Sequence, residues 1–459
     1  MTSKRLWAPQ AWVGGRWRHG VSLGINAQGH WDEIAANVHT PPPEALVLNG
    51  PTIPGLVNAH SHAFQRAFAG LAERRDANSD DFWSWRDRMY GVASRISADQ
   101  MRTVASQLFI ELLKGGYTQV CEFHYIHRAE TGNSFDDPAA MSVALADASE
   151  DAGIGLTLLP VLYERAGFSL DHLRDDQRRF AGTPELICHL SQYVRALRRR
   201  LVTCGVALHS LRAVPRNSIA KLLGLVGDDN VPIHIHIAEQ VHEIDQCLAA
   251  TGARPIEYLV REFSIDSRWL LVHATHATPG EIDSIAASGA CIAICPTTEA
   301  NLGDGLINLP AWLSAAVPMA IGSDSHVSRS WVEELRWLEY GQRLSLKRRN
   351  IAAHPESGQP ATAARLFDAA LDGGRQASGM ANWGFVKGAR ADALVLDAQS
   401  NALLGIPTSY TLDALVFASS EPVIRDVFVA GEQRIFGGKH PHEVQARNGF
   451  SRVMRSLWG

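Results

Sequence analysis

Histidines in this chain gather at the ends of apolar runs. His60 and His62 lie two apart in PGLVNAHSH (54–62), so in an extended strand both imidazoles leave the same face and can meet one cation. A His-x-His pair alone is weak evidence, because histidine fills many other roles. The case strengthens along the chain: VPIHIHIAE (231–239) carries His234 and His236, RWLLVHATH (268–276) carries His273 and His276, and VPMAIGSDSH (317–326) carries Asp324. Imidazole and carboxylate are the ligands of a catalytic zinc or similar borderline ion that keeps one position open for water. We take His60, His62, His236 and Asp324 as the ligand set. His234 faces the same way as His236 and stays a rival; His236 is preferred because Glu239 follows at a spacing that can curl a carboxylate over the metal. A divalent ion lowers the pKa of its bound water to about 7, which makes a nucleophile available at neutral pH. Asp324 is placed to accept the water's proton, His273 to hydrogen-bond the water or the tetrahedral centre, and Glu239 to shuttle a proton to a leaving nitrogen.

The other polar residues of the same run ends suit an anion. Arg212 ends GVALHSLR (205–212), Arg86 lies in DFWSWRDRMY (81–90) and Tyr125 ends TQVCEFHY (118–125). Guanidinium forks match carboxylates bidentately, so two of them point to a small acidic substrate, a dicarboxylate among the options. Either arginine could equally belong to an ion pair of the fold. Gln65 and His209 add neutral or switchable hydrogen bonds. Glu299 and Asn301 take no role from their positions, and Trp83 and Trp85 read as aromatic packing or as a cover over the site.

Catalytic groups need a scaffold that brings distant run ends to one rim. Eight apolar or alternating runs are present: 54–62, 118–125, 155–163, 205–212, 231–239, 268–276, 290–301 and 317–326. Helix-compatible stretches such as 105–114 and 279–288 separate them, which is the signature of repeated βα units. Eight is the number that closes a parallel (β/α)8 barrel, whose catalytic groups come from the C-terminal ends of its strands. Residues 1–53 and 384–459 look different, with short β runs such as 45–49, 391–397 and 423–436, and are expected to build one small β domain from both termini. The barrel is then expected over 54–383.

Bulk composition bounds the function classes. Charged residues make up 20% of the 459 and hydrophobic ones 46%, and a net charge of -5 offers no footprint for nucleic acid. No run of eighteen apolar residues suggests a membrane span, and the N-terminal stretch lacks the core of a secretory signal, so the cytoplasm is the expected location. Six scattered cysteines without a CxxC pair indicate neither a disulfide framework nor a thiolate zinc site. The basic runs 198–200 and 347–349 read as solvated helix ends.

The His60/His62 pair, the His236-to-Glu239 spacing, His273 and Asp324 together resemble the amidohydrolase superfamily. That resemblance implies a (β/α)8 TIM-type barrel with a flanking β-sandwich, and GFVKGARADALVLD (384–397) looks like the chain's return into that sandwich. With His209 on strand four, where a bridging lysine would sit in a two-metal member, the resemblance implies one ion. Longer stretches resemble the formimidoylglutamate deiminases: NAHSHAFQRAFAGLAE (58–73), DDFWSWRDRMY (80–90), LHSLRAV (208–214), TEANLGDG (298–305) and VEELRWLEYGQRL (332–344) among them. This implies one Zn2+ per subunit, a homodimer, and hydrolysis of N-formimino-L-glutamate to N-formyl-L-glutamate and ammonia in histidine degradation. Gln65, Arg86, Tyr125, His209 and Arg212 would hold the glutamate part. Two other readings are a deaminase of a guanine, pterin or S-adenosylhomocysteine-like ring, which calls for stacking without paired arginines, and a metal-binding barrel without turnover.

Overall fold

The computed structural model describes residues 4–75 and 81–459; residues 1–3 and 76–80, which include the first position of the 80–90 segment, lie outside the described residues. Eight parallel strands follow one another around a barrel: Leu56–Ser61, Tyr117–His124, Gly155–Leu162, a fourth broken at Gly205 into Val202–Cys204 and Val206–Leu208, then Ile233–Ile237, Trp269–His273, Cys291–Ile294 and Met319–Ile321. Nearly every residue of these strands is buried, as expected where helices cover one face and the barrel interior the other. The last strand returns to the first: Ser61 bridges Asp324 in parallel register, Asp324 N–H donates to His60 O at 3.0 Å, and His62 N–H donates to Asp324 O at 3.3 Å. Gly322 permits this approach, since a Cβ there would stand 2.7 Å from His60 Cβ.

Helices cover the strands with locally encoded ends. Ala98–Lys114 starts at a capping box in which Ser97 and Gln100 satisfy each other's backbone N–H, and Pro279–Ser288 starts at one formed by Thr278 and Glu281. The seventh run is shorter as a strand than its polar end suggested. It stops at Ile294, and Pro296 opens a helix, Pro296–Leu302, that carries Glu299 and Asn301.

Eight further strands from both ends of the chain are hydrogen-bonded into one mostly antiparallel sheet. Lys4–Trp12, Trp17–Ile25 and Trp31–Ala35 form a meander, and Thr52–Pro54 joins it to Ala393–Leu396, Ile424–Val429 and Glu432–Ile435. Leu6, Val21, Leu23, Trp31, Val395 and Phe428 give this unit an apolar cluster separate from the barrel core. The expected barrel with a flanking β unit from both termini is therefore what the chain forms. After it, the helix Glu443–Trp458 packs on Ala98–Lys114, and Trp458 Nε1–H donates to Ala67 O at 2.9 Å, behind the turn that carries Gln65. No helix among the described residues is long and apolar enough to cross a membrane, and all six cysteines are buried and free.

Candidate metal centre and active site

Three imidazole nitrogens converge at the C-terminal rim of the barrel. His60 Nε2 lies 3.1 Å from His62 Nε2 and 2.9 Å from His236 Nε2, and Asp324 Oδ1 stands 3.3 Å from His62 Nε2 and 3.6 Å from His60 Nε2. The orientation of two rings is fixed from behind: His62 Nδ1–H donates to Phe123 O at 2.9 Å and His236 Nδ1–H to His209 O at 3.0 Å. Burial, reinforced by the neighbouring imidazoles, pushes His60 and His236 well below their ordinary range, and burial lowers His62 to about 3. The rings are thus neutral, and those of His62 and His236 aim Nε2 lone pairs at one point. Lone pairs crowded this closely repel unless a cation lies between them. A tetrahedron with metal–ligand bonds of about 2.0–2.1 Å has edges of about 3.3 Å, so the donor set fits a divalent ion in chemistry and in spacing.

His234, the rival ligand, sits on the same face of its strand one layer deeper. Its Nε2 lies 2.8 Å from Ala377 O, at the end of the helix Thr362–Ala377, and outside the converging group. Two residues of strand amount to about 6.6 Å along the barrel, which separates its ring from His236's surroundings.

His273 and two carboxylates complete the rim. His273 Nε2 is 3.7 Å from Glu239 Oε1 and 3.8 Å from Asp324 Oδ2, while Nδ1 faces Glu299 Oε1 at 3.2 Å. Burial works to lower the His273 pKa, but Glu239, Glu299 and Asp324 together hold it up at about 10; burial raises Asp324 to about 7 against the opposing pull of His273. The backbone is strained where these side chains leave their strands: Ala238, His273, Ala274 and Asp324 have φ of 52°, 70°, 49° and 46°. Non-glycine residues hold such angles only where the surroundings enforce them.

One cavity adjoins this centre, and all five residues assigned to an anionic substrate line it: Gln65, Arg86, Tyr125, His209 and Arg212, with Glu239, His273 and Asp324 at its floor. Gln65 Nε2–H donates to Tyr125 Oη at 3.2 Å, leaving Gln65 Oε1 buried without a partner. Arg86 reaches Asp87 at 3.3 Å, a carboxylate it shares with Arg174 at 2.9 Å. Among the described residues the Arg212 side chain has no ion pair, and its Nε is buried without a hydrogen bond. Its facing acid is Glu243, whose carboxyl burial raises despite the opposing charge of Arg212, and which accepts the Glu239 N–H at 3.1 Å. Trp83 lies between the two arginines, its ring 4.6 Å from Arg86 Cζ and 5.1 Å from Arg212 Cζ, and meets His242 edge-on at 5.4 Å. Trp85 packs edge-on against Phe68.

Sequence reasoning passed over several contributors. Glu122 accepts Ser61 Oγ–H at 2.6 Å and Ala63 N–H at 2.5 Å, and so clamps the backbone that presents His60 and His62. Asn58 and His326 brace Ser323 beside Asp324. A buried carboxylate in CEFHY and a carboxamide two residues before His60 were the available signals. Asn301, on the helix Pro296–Leu302, donates to Glu73 at 2.9 Å.

A buried cluster of histidines and carboxylates at the C-terminal mouth of a (β/α)8 barrel defines a metal-dependent hydrolase. A sequence model of the amidohydrolase family matches residues 52–434, and the chain belongs to that family. Among its relatives is the formimidoylglutamate deiminase of Pseudomonas aeruginosa, 44% identical over 98% of this chain and 99% of that protein. A 5-methylthioadenosine/S-adenosylhomocysteine deaminase of Natronomonas pharaonis is 26% identical over 83% of this chain and 80% of its own. The crystal structure of an amidohydrolase from Brucella melitensis superposes with a TM-score of 0.93 at 38% identity, covering 99% of this chain and all of that one.

Proposed function

We propose that this chain hydrolyses N-formimino-L-glutamate to N-formyl-L-glutamate and ammonia, a step of histidine breakdown, as a zinc enzyme with one ion per subunit. The observation that carries the reading is the pair of guanidiniums, Arg86 and Arg212, facing the cavity beside the histidine cluster, with Arg212 in no ion pair among the described residues. A flat heterocycle gives two such charges nothing to pair with, whereas the two carboxylates of the glutamyl group do. The 44% identity to a formimidoylglutamate deiminase supports the same substrate.

A zinc ion held by His60, His62, His236 and Asp324 would supply Lewis-acid activation of a water molecule at neutral pH. The chain's residues do the rest. Arg86, Arg212, Gln65, Tyr125 and His209 bind the glutamyl part and turn the formimino carbon toward the rim. Asp324 takes the proton that water loses as its oxygen bonds to that carbon. His273 holds the oxygen of the tetrahedral centre through Nε2. As the tetrahedral centre collapses to the formyl group its hydroxyl proton passes to Glu239; the two protons water has given up, one through Asp324 and one through Glu239, reach the terminal nitrogen, the C–N bond breaks, and ammonia leaves. The same reading places the chain in the cytoplasm as a homodimer and divides it into 1–53, 54–383 and 384–459, the outer segments forming the β domain and C-terminal tail.

The test is ammonia release by the zinc-loaded protein offered N-formimino-L-glutamate, guanine or S-adenosylhomocysteine. Turnover of the first alone is expected. Preference for either ring compound refutes the substrate, and inertness toward all three with simple formamidines refutes the reaction.

A further inference from the structure

Glu299 has no part in the chemistry just described, yet its side chain is only 5% exposed and reaches into the site. One duty is local. As the fourth residue of the helix Pro296–Leu302 it accepts the N–H of the N-cap, Cys295, at 2.9 Å. An exposed carboxylate would cap the helix as well; here the same oxygen, Oε1, also meets His273 Nδ1 at 3.2 Å inside the barrel. His273 is the group whose ring orientation decides whether a nitrogen or a carbon faces the reaction. Its backbone, at φ 70° and followed by Ala274 at φ 49°, turns the side chain inward, but leaves rotation of the ring about its last bond open. Nε2 faces Glu239 and Asp324 at 3.7 and 3.8 Å, beyond hydrogen-bond length, so neither of them locks the ring. Nδ1–H to Glu299 is the hydrogen bond that does.

We propose that Glu299 is a positioning residue that holds the His273 ring so that Nε2, and not the Cδ2 edge, is presented to the tetrahedral centre. The proposal rests on the hydrolytic reading above for its kinetic consequence, but the hydrogen bond itself can be observed without turnover. Removing the support of a catalytic histidine costs about 10- to 100-fold in related metal sites. In the zinc-loaded full chain, Glu299→Ala is expected to lower kcat by about that factor with KM nearly unchanged, because the glutamyl contacts lie elsewhere. Glu299→Gln keeps a carbonyl oxygen for both donors and is expected to recover most of kcat. In a His273→Gln background, Glu299→Ala is expected to cost less than about twofold, since residues acting through one another are not additive.

Nitrogen-15 histidine NMR gives the reading that a purely structural cap would not move. The His273 Nδ1–H resonance, assigned by its loss in His273→Gln, is expected in the parent and in Glu299→Gln and absent from Glu299→Ala. A resonance unchanged in Glu299→Ala, an undiminished penalty in the His273→Gln background, or kcat, KM and zinc content failing together in Glu299→Gln each overturn the proposal. If the parent does not turn over N-formimino-L-glutamate, the earlier reading falls and the resonance alone decides this one.

Discussion

Arg212 is where the anion argument can be broken most directly. Arg212 is 6% exposed, stacked on Trp83 and faced by Glu243, but without an ion pair among the described residues, so much of the cost of a dry charge is left uncompensated. A substrate carboxylate would offset that cost. Replacing Arg212 by Met keeps the length and apolar stem and removes the fork. Truncating one side of a buried, hydrogen-bonded charge pair costs about 2–5 kcal/mol. At about 1.36 kcal/mol per decade, kcat/KM for N-formimino-L-glutamate should fall about 30- to 5,000-fold. Because the removed charge makes no ion pair among the described residues of the free protein, the melting temperature should hold or rise. The assay is ammonia release for parent and variant on that substrate and on a simple alkyl formamidine without carboxylates. The second compound should be hydrolysed equally poorly by both proteins. A loss under about threefold on the acidic substrate, or the same loss on the neutral one, refutes the reasoning.

Three other outcomes follow from the geometry. Dialysis against a chelator should abolish turnover, zinc should restore it, and Asp324→Ala should fail to retain stoichiometric metal by mass spectrometry; full activity in metal-free protein would contradict the ligand assignment. Trp83→Leu removes two cation–π contacts worth about 0.5–1 kcal/mol each, so KM should rise about 5- to 30-fold at unchanged kcat, with Trp83→Phe intermediate; an unmoved KM would mean Trp83 only packs. Burial raises Glu334 to about 8 from 4.5, although Thr297 N–H and Oγ–H both donate to it. Between those values the folded chain holds a proton that the unfolded chain has lost, so stability falls as pH rises through the window. Glu334→Gln should remove that fall, worth of order a few kcal/mol, from urea unfolding measured across the same range; parallel curves for parent and variant would refute it.

The sequence was most legible where a chemical need imposes a period. A buried parallel strand must be apolar along its length and polar where it ends, so all eight runs could be placed, although the seventh was read seven residues past the strand's end at Ile294. His60 and His62 betray themselves by the two-residue repeat that sends both to one face. The period could not separate His236 from His234, because it fixes the face of a strand and says nothing of depth; only the helix end at Ala377 shows that His234 has another partner. Glu299 was illegible for a different reason. Read as the polar end of a strand, it sits instead on a short helix, and its contact with His273 joins residues 26 apart through folding alone. The Trp83 stack between two arginines, one three positions further along the same helix and the other 129 residues away, is likewise a product of tertiary packing.

The strand that brings Asp324 is the last of the eight, and the one it must join brings His60 and His62. The donor cluster therefore straddles the seam where the ring of strands shuts. A ribosome that has made three quarters of the barrel has produced every imidazole of the set and no carboxylate to finish it. A cation held by these donors would act as a clasp across the closing joint, rewarding completion of the ring, so that a half-made or unzipped chain would carry no working hydrolase into the cell.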